Sequence, residues 1–150
     1  MMRTFYLFKI NDDYSNLTKN IPFNLYNTYL SIRLSNKNNL NYLFNQYNSI
    51  TNQILIPELN KLLYLKMKDM DGYSRYRNAH MYNNYYSDEV SKLIINNSYL
   101  ILKSNKSNST FFTILYDIPN LFVIDFENKD YFWLEKIDNL RLAPQSTYSV

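Results

Sequence analysis

The stretch from residue 111 to 134 constrains the fold more than any other part of the chain. Apolar residues recur at helical spacing over 111–118, and Pro119 prevents the helix from continuing. Leu121–Ile124 is apolar at every position, which is typical of a strand packed on both faces. The polar residues 127–130 then predict a turn, after which the chain returns as a second strand carrying the only Trp. This stretch therefore predicts a helix and a hairpin at the centre of a layered core.

The first half of the chain combines one strand pattern with helical patterns. Residues 3–10 are rich in aromatic and branched side chains with few polar interruptions, which indicates an interior strand. Apolar residues at helical spacing predict one helix over 22–34, beginning at its proline, and a second helix over 40–54. Pro57 disfavours helical geometry at the residue before it, so it either bends this helix or starts a new turn, and we expect a bend because the apolar stripe resumes in phase.

The second half contains one weakly patterned segment followed by hairpins. Residues 68–88 are polar, include the only Gly, and predict a mobile loop or short helix. Residues 90–103 predict a hairpin, because two apolar runs flank Asn96–Asn97 and asparagine tolerates the positive φ of a tight turn. Together these segments predict a single α/β (α+β) domain over residues 1–142, with a mixed sheet of about five strands packed with helices. Residues 143–150 are expected to form a frayed C-terminal tail.

The composition excludes several classes of function. The chain has no Cys and a single His, which leaves no disulfide, no thiol nucleophile and no multi-histidine metal centre. No segment resembles a signal peptide, and no window approaches the roughly 20 apolar residues of a membrane span. We therefore expect a cytoplasmic protein without membrane contact. The bias towards Asn and Tyr, with 16 tyrosines in 150 residues, is typical of an AT-rich genome, so most tyrosines are not interpreted as functional.

Enzymatic signals are weak. The chain has no phosphate-binding glycine loop and no metalloprotease motif. His80 could act as a general base, but its position in the weakly patterned segment favours a solvated loop histidine. Asp125 follows a buried strand, where catalytic residues often lie, but a turn carboxylate that stabilises the following hairpin is the simpler interpretation. We therefore predict no enzymatic activity, no catalytic residue, and no cofactor or metal.

Two kinds of binding surface remain open. In the segment 61–77, lysine and arginine side chains alternate with tyrosines, a pattern that suits phosphate contacts and base stacking. Acidic residues interrupt this pattern, so a solvated face is the simpler interpretation and no direct nucleic-acid contact is expected. Tyr14, Leu17 and Ile21 place large apolar side chains in a polar segment outside the core periodicity, which is typical of a protein interface.

Several segments, taken in order along the chain, resemble one known family. They are RTFYLFKINDDYSN from Arg3, the helix over 23–30, QYNSITNQI over 46–54, LKM over 65–67, SYLILKSN over 98–105, and Phe111-Phe112 followed by FVIDFENKDYFWL. Over roughly residues 3–137 the chain resembles the SirA family, the sporulation inhibitors of replication of endospore-forming Gram-positive bacteria.

The resemblance implies a function and a surface. It implies a small cytoplasmic α/β protein, expected to be a monomer, that binds the N-terminal domain of the replication initiator DnaA and blocks new rounds of replication as sporulation begins. It implies neither enzymatic activity nor a cofactor. The family's contact surface has an aromatic residue at the position of Tyr14 and another one helical turn later, where this chain has Thr18. A second part of that surface corresponds to the predicted helix over 46–56, at Gln53 and Ile56.

Overall fold

The computed structural model describes residues 1–35 and 40–137, with the backbone alone for residues 40 and 41. The described strands are β1 (Arg3–Lys9), β2 (Tyr73–Tyr76), β3 (Ala79–Asn84), β4 (Glu89–Ile95), β5 (Leu100–Ser104), β6 (Leu121–Asp125) and β7 (Asp130–Trp133). The described helices are α1 (Asp12–Thr18), α2 (Pro22–Leu34), α3 (Leu40–Ile50), α4 (Ile56–Met67) and α5 (Thr110–Leu115), with a short 3₁₀ helix at Leu134–Lys136.

The strands form one sheet in the order β2-β3-β4-β5-β1-β6-β7. Every neighbouring pair is antiparallel. The α+β class is confirmed, and the described sheet has seven strands where about five were expected. The expected mixture of parallel and antiparallel pairs was wrong: four pairs are sequential hairpins, which pair antiparallel, and β1 also runs antiparallel to both of its neighbours, β5 and β6.

Strand β1 lies inside the sheet and is buried on both faces. Phe5 and Leu7 point to one face and are fully buried. Phe8 points to the other face, where its ring stacks on that of Tyr29 with the centroids 4.1 Å apart. Because successive residues fill opposite layers, the strand needs apolar side chains at nearly every position. The predicted interior strand is confirmed.

The helices divide between the two faces of the sheet. On one face, Leu63 and Met67 of α4 and Phe112 of α5 join the side chains of β1 in the first core. On the other face, α1, α2 and α3 contribute to a second core that contains Leu25, Tyr26 and Ile50. The protein therefore has three layers, with helices on both sides of the sheet.

Two of the predicted elements need correction. Instead of a helix that bends at Pro57, α3 ends at Ile50, and residues 52–55 are extended before α4 begins. Residues 68–88 are neither a mobile loop nor a short helix, because they contain the whole hairpin β2–β3. The apolar alternation that marks a strand is missing there, since the inward-facing side chains include His80 and Tyr73, which are buried as a hydrogen-bonded pair.

The C-terminal predictions are confirmed as far as the described residues extend. All five residues of β6 are buried, and β6 pairs with β7 across the predicted turn. The predicted hairpin joins β4 to β5, but the expected two-residue turn was wrong, because the loop is residues 96–99 and neither Asn96 nor Asn97 has a positive φ. The predicted tail over 143–150 and the end of the predicted domain at residue 142 lie outside the described residues.

Gly72 is the one glycine of the chain, and its position between α4 and β2 tolerates no side chain. Its φ is +94°, and a Cβ built on it would lie 2.1 Å from the carbonyl oxygen of Asn83. The Gly72→Ala variant is expected to unfold more easily by about 2–4 kcal/mol, because both the backbone conformation and the hairpin contact must change. Urea denaturation measures this loss, with Ser74→Ala on the exposed strand next to it as the control. Equal stability of the two variants would contradict the expectation.

Candidate partner-binding surface

Helix α1 is held firmly at its N-terminus. The side chain of Asn11 caps the helix by accepting a hydrogen bond from the backbone N–H of Tyr14 at 2.8 Å. Ser15 is buried and donates its hydroxyl to Asn120 Oδ1 at 2.7 Å. Thr18 is 4% exposed and donates its hydroxyl to the carbonyl of Tyr14 at 2.7 Å. The buried side of α1 is therefore polar and fully engaged with its surroundings.

The side chain of Lys19 holds the C-terminal end of α1 in place. Its ammonium group donates to Asn120 Oδ1 at 2.9 Å and to the carboxylate of Glu135, and it lies 4.0 Å from the centre of the Trp133 ring. Burial acts to raise the pKa of Glu135, but the hydrogen bonds from Lys19 and from the N–H of Asn120 outweigh it and hold the pKa below its usual value. These contacts fix α1 against the 3₁₀ helix.

The outer side of this region is apolar. Leu17 is 75% exposed, Ile21 is 46% exposed and Phe23 is 56% exposed, all within seven consecutive residues. Tyr14 is half-buried and packs against the second core. Large apolar side chains exposed on and just after a helix that is itself rigidly held are typical of a protein-binding surface.

Residues 51–55, called the extended segment below, begin beside the residues that precede α1 and continue to the β4–β5 loop, where the N–H of Ile54 donates to the carbonyl of Asn97. Ile10 and Thr51 form an isolated antiparallel bridge, the N–H of Asn11 donates to the carbonyl of Ile50 at 2.9 Å, and the N–H of Asn52 donates to the carbonyl of Lys9 at 2.7 Å. The extended segment is therefore fixed by backbone hydrogen bonds on both sides of the bridge. The sequence placed Gln53 on a helix, whereas the structure places it on this segment.

An apolar groove of about 500 Å³ opens beside the extended segment. Its walls come from the extended segment, α4, the start of β5 and the approach to β6, and they are lined mainly by Ile54, Leu55, Leu59, Leu62, Ile118 and Leu121. Lys9 lies at its edge and donates to the carbonyl of Pro119 at 2.6 Å, and burial lowers the pKa of its ammonium group. A second, more polar hollow of about 310 Å³ lies beside Phe44, and Gln53 lines both spaces.

The structure bonds the segment that carries Gln53 to the residues just before α1, but it packs Ile56 on the opposite face of the sheet from Tyr14. Tyr14 and Leu17 lie on α1, and Gln53 lies on the segment bonded to its start. Ile56 is the first residue of α4, is half-buried, and packs against the first core. Thr18 presents almost no surface, so it supports α1 from inside. Leu55, which is 68% exposed, and Phe23 were not singled out from the sequence.

Asp125 has the structural role that the turn pattern predicted. It accepts from the side chain of Asn128 at 2.7 Å and from Nε of Arg3 at 2.8 Å. Burial acts to raise the pKa of Asp125, but these hydrogen bonds lower it by more than burial raises it. The pKa therefore lies below the usual value. The carboxylate therefore holds the β6–β7 hairpin to β1.

His80 is not a solvated loop residue, contrary to the sequence-based prediction. It is fully buried on β3, with Nε2 2.7 Å from Asn60 Oδ1 and Nδ1 2.8 Å from the hydroxyl of Tyr73. Three strands separate β3 from β6, so His80 and Asp125 lie about 19 Å apart at the usual strand spacing. They cannot act on one substrate together.

The basic and aromatic residues of the segment 61–77 do not form one face. Arg75 pairs with His80 across β2–β3 and faces the side of α4, whereas the next residue, Tyr76, points to the opposite side of the sheet. Lys66 lies 3.7 Å from Asp117 and donates to the carbonyl of Ile114. A continuous track for a nucleic-acid backbone is therefore missing from this segment.

Among residues 1–35 and 40–137, no cluster of three or more His, Cys, Asp and Glu side chains is arranged to hold a metal ion. In the same part of the chain, no helix has the length and apolar character needed to cross a membrane.

The sequence was compared with known proteins. It matches no individually curated protein. Over residues 3–138 it matches the family described as sporulation inhibitor of replication protein SirA. The match spans most of the 150 residues and covers the complete sheet, α1 and the extended segment described above. The chain therefore belongs to the SirA family of sporulation inhibitors of replication.

Proposed function

We propose that this protein binds the N-terminal domain of the replication initiator DnaA and thereby inhibits initiation of chromosome replication during sporulation. The observation that carries the proposal is the group of exposed apolar side chains on and just after α1, at Leu17, Ile21 and Phe23. The family to which the chain belongs supports the proposal, because it is described as an inhibitor of replication in sporulation. The resemblance described above suggests DnaA as the target.

The proposed interface has two parts. Tyr14 and Leu17 supply the contact from α1, while Gln53 and Ile56 supply the contact from the extended segment and the start of α4. Thr18 acts indirectly, because it is buried beneath α1 and its hydroxyl bonds to the carbonyl of Tyr14 within the helix. Inhibition follows from occlusion, since a bound protein covers the surface through which the initiator domain assembles. Such a mechanism requires neither catalysis nor a cofactor, and we propose that a cytoplasmic monomer carries it out.

Leu17→Asp is the sharpest test of this interface, because Leu17 is so exposed that its replacement leaves the core unchanged. The variant is expected to bind the isolated N-terminal domain of the host's DnaA at least about tenfold more weakly, since a charge replaces an apolar anchor. Isothermal titration calorimetry measures this change. Tyr14 is less suitable for the test, because its ring also packs in the second core.

Leu34→Asp provides a matched control. Leu34 is 74% exposed, as Leu17 is, but lies at the far end of α2. The control variant is expected to bind as the unmodified protein does. Equal weakening by both substitutions, or wild-type affinity in Leu17→Asp, would remove α1 from the interface, and no binding by the folded wild-type protein would remove DnaA as the partner.

The alternative function, nucleic-acid binding through residues 61–77, makes a different prediction about salt. Phosphate contacts would give an affinity that falls steeply with ionic strength, whereas an apolar protein interface responds little. The arrangement of Arg75 and Tyr76 on opposite faces of the sheet favours the protein interface.

A further inference from the structure

Half of one sheet face is not covered by helices in the part of the chain that the structure describes. We call this the open face: the side of β2–β5 that points away from α4 and α5. The second core, which lies on the same side of the sheet, draws no residue from these four strands. Lys92, Lys103 and Val90 on this side are exposed, and Met81, Ile94 and Ile101 are half-buried.

The strand register places two lysines directly against each other on the open face. Lys92 on β4 is opposite Lys103 on β5, and the next residue in the same row is Met81 on β3. Like charges directly opposite in a sheet destabilise it. Neither lysine has an ion pair or hydrogen bond among the described residues. The fold therefore places two repelling charges where nothing in the described chain compensates them.

The charge of the open face is positive. None of the outward-facing side chains of β2–β5 is acidic. Arg77 lies over the ring of Tyr76 at one border, and Arg33 lies over the ring of Tyr6 at the other. The open face itself therefore carries two positive charges, Lys92 and Lys103, and Arg77 and Arg33 add two more at its borders. A ligand that fits this surface must be acidic.

We propose that the open face binds an acidic amphipathic helix of a partner protein. Four strands at the usual spacing span roughly 15 Å, which matches the roughly 10 Å diameter of one helix. The aliphatic side chains Met81, Ile94 and Ile101 suit the apolar stripe of such a helix, and the lysines suit carboxylates at its edges. This surface is distinct from α1, so the proposal is independent of the interface with DnaA.

Two other occupants fit less well. Single-stranded nucleic acid needs free aromatic rings for base stacking, but Tyr76 and Tyr6 carry arginine side chains over their rings, and the centre of the open face is aliphatic. A second copy of this chain would place the same positive charges against each other in a symmetric dimer. The acidic helix is therefore the occupant that both the charge and the apolar surface favour.

The test uses a fluorescein-labelled peptide of about 20 residues, with Leu at helical spacing on one side and Glu on its flanks. Its binding to the full chain is measured by fluorescence anisotropy. The Lys92→Gln/Lys103→Gln variant is expected to bind at least about tenfold more weakly than the wild type. The matched control is Lys61→Gln/Lys68→Gln, which removes the same charge from exposed positions on and next to α4 and is expected to change affinity by less than about twofold.

A second measurement separates a role of Lys92 in binding from a role in stabilising the fold. Lys92→Glu is expected to raise the thermal midpoint of unfolding, because it replaces a repelling pair with an attracting one, and also to abolish peptide binding. The proposal is wrong if both double variants weaken binding equally, or if a scrambled peptide of the same composition binds as well. It is also wrong if the wild type does not bind the peptide, or if a thymidine oligonucleotide of equal charge binds more tightly through the same lysines.

Discussion

The Glu89→Gln variant is expected to lose about 3 kcal/mol of unfolding free energy. Glu89 is 5% exposed, and its carboxylate accepts hydrogen bonds from Ser91 Oγ at 2.5 Å, from Ser109 Oγ at 3.0 Å, and from both the N–H and the hydroxyl of Thr110 at 3.0 and 2.6 Å. The amide of glutamine can accept through one atom only, so buried donors lose their partner. A buried donor left without a partner costs about 1–3 kcal/mol.

The loss should extend to the first core, because Glu89 attaches α5 to the sheet. It lies on β4, and its carboxylate meets the N-terminus of α5, where the positive end of the helix dipole favours a negative charge. The next two residues of α5, Phe111 and Phe112, are fully buried in the first core. Loosening the start of the helix therefore disturbs the packing of these rings against Phe5.

Urea denaturation of wild type and variant at neutral pH measures the effect. Glu127→Gln is the matched control, since Glu127 is an exposed turn residue and its replacement should change stability by less than about 0.5 kcal/mol. If the two variants proved equally stable, the carboxylate of Glu89 would not hold α5 to the sheet.

The unfolding free energy is expected to fall by about 2–3 kcal/mol between pH 7 and pH 4.5 because of His80 alone. Burial, and secondarily the charge of Arg75, lower the pKa of His80 to about 4. In the unfolded chain the pKa is near 6.5. Below pH 6.5 the unfolded chain therefore binds a proton that the folded protein does not, and stability falls by about 1.4 kcal/mol per pH unit. The stability that depends on the neutral form of His80 is fully present above pH 6.5 and is lost progressively as the pH falls towards 4.

The geometry of the site agrees with a neutral imidazole. Asn60 Nδ2 donates to Asn78 Oδ1 at 3.0 Å, which leaves Asn60 Oδ1 as the acceptor for Nε2–H of His80. Nδ1 then accepts from the hydroxyl of Tyr73. Both ring nitrogens are satisfied in the neutral form, so protonation would have to disrupt this arrangement.

His80→Gln is the control for this pH dependence. It removes the only histidine of the chain, so the slope between pH 4.5 and 6.5 should disappear. Asp125 and Glu135 have lowered pKa values, so their contributions are present above about pH 4.5 and are lost only below it. The single imidazole resonance of the wild type gives the folded pKa directly by NMR. A titration midpoint near 6.5, or an unchanged slope in His80→Gln, would contradict the assignment.

These residues show where sequence reasoning reaches its limit. The role of Asp125 was predictable, because Asn128, one of its main partners, is three residues away and belongs to the same turn. Glu89 was missed, because Ser109 and Thr110 are about 20 residues away and carry no pattern that links them to it. His80 was placed in a loop for the same reason, since Asn60 reaches it from another element.

The candidate surfaces also contain features that could be predicted from the sequence and features that could not. The exposed apolar side chain of Leu17 was recognisable, because it interrupts a polar segment without fitting the core periodicity. The burial of Thr18 was not recognisable from the sequence, because it depends on how α1 lies against Asn120 and Glu135. The opposition of Lys92 and Lys103 could not be predicted either, because it requires the register of β4 against β5.

The sequence by itself determined the elements whose causes are local. Pro22 marked the start of α2, a helical and a continuous apolar pattern defined the core helix and the C-terminal hairpin, and the order of segments indicated the SirA family. Only the tertiary structure decided the seven-stranded antiparallel order, the burial of His80 and Glu89, and the lysine pair of the open face. The physical reason is that polar burial and strand pairing depend on partners distant in sequence, whose contacts exist only once the layers have assembled.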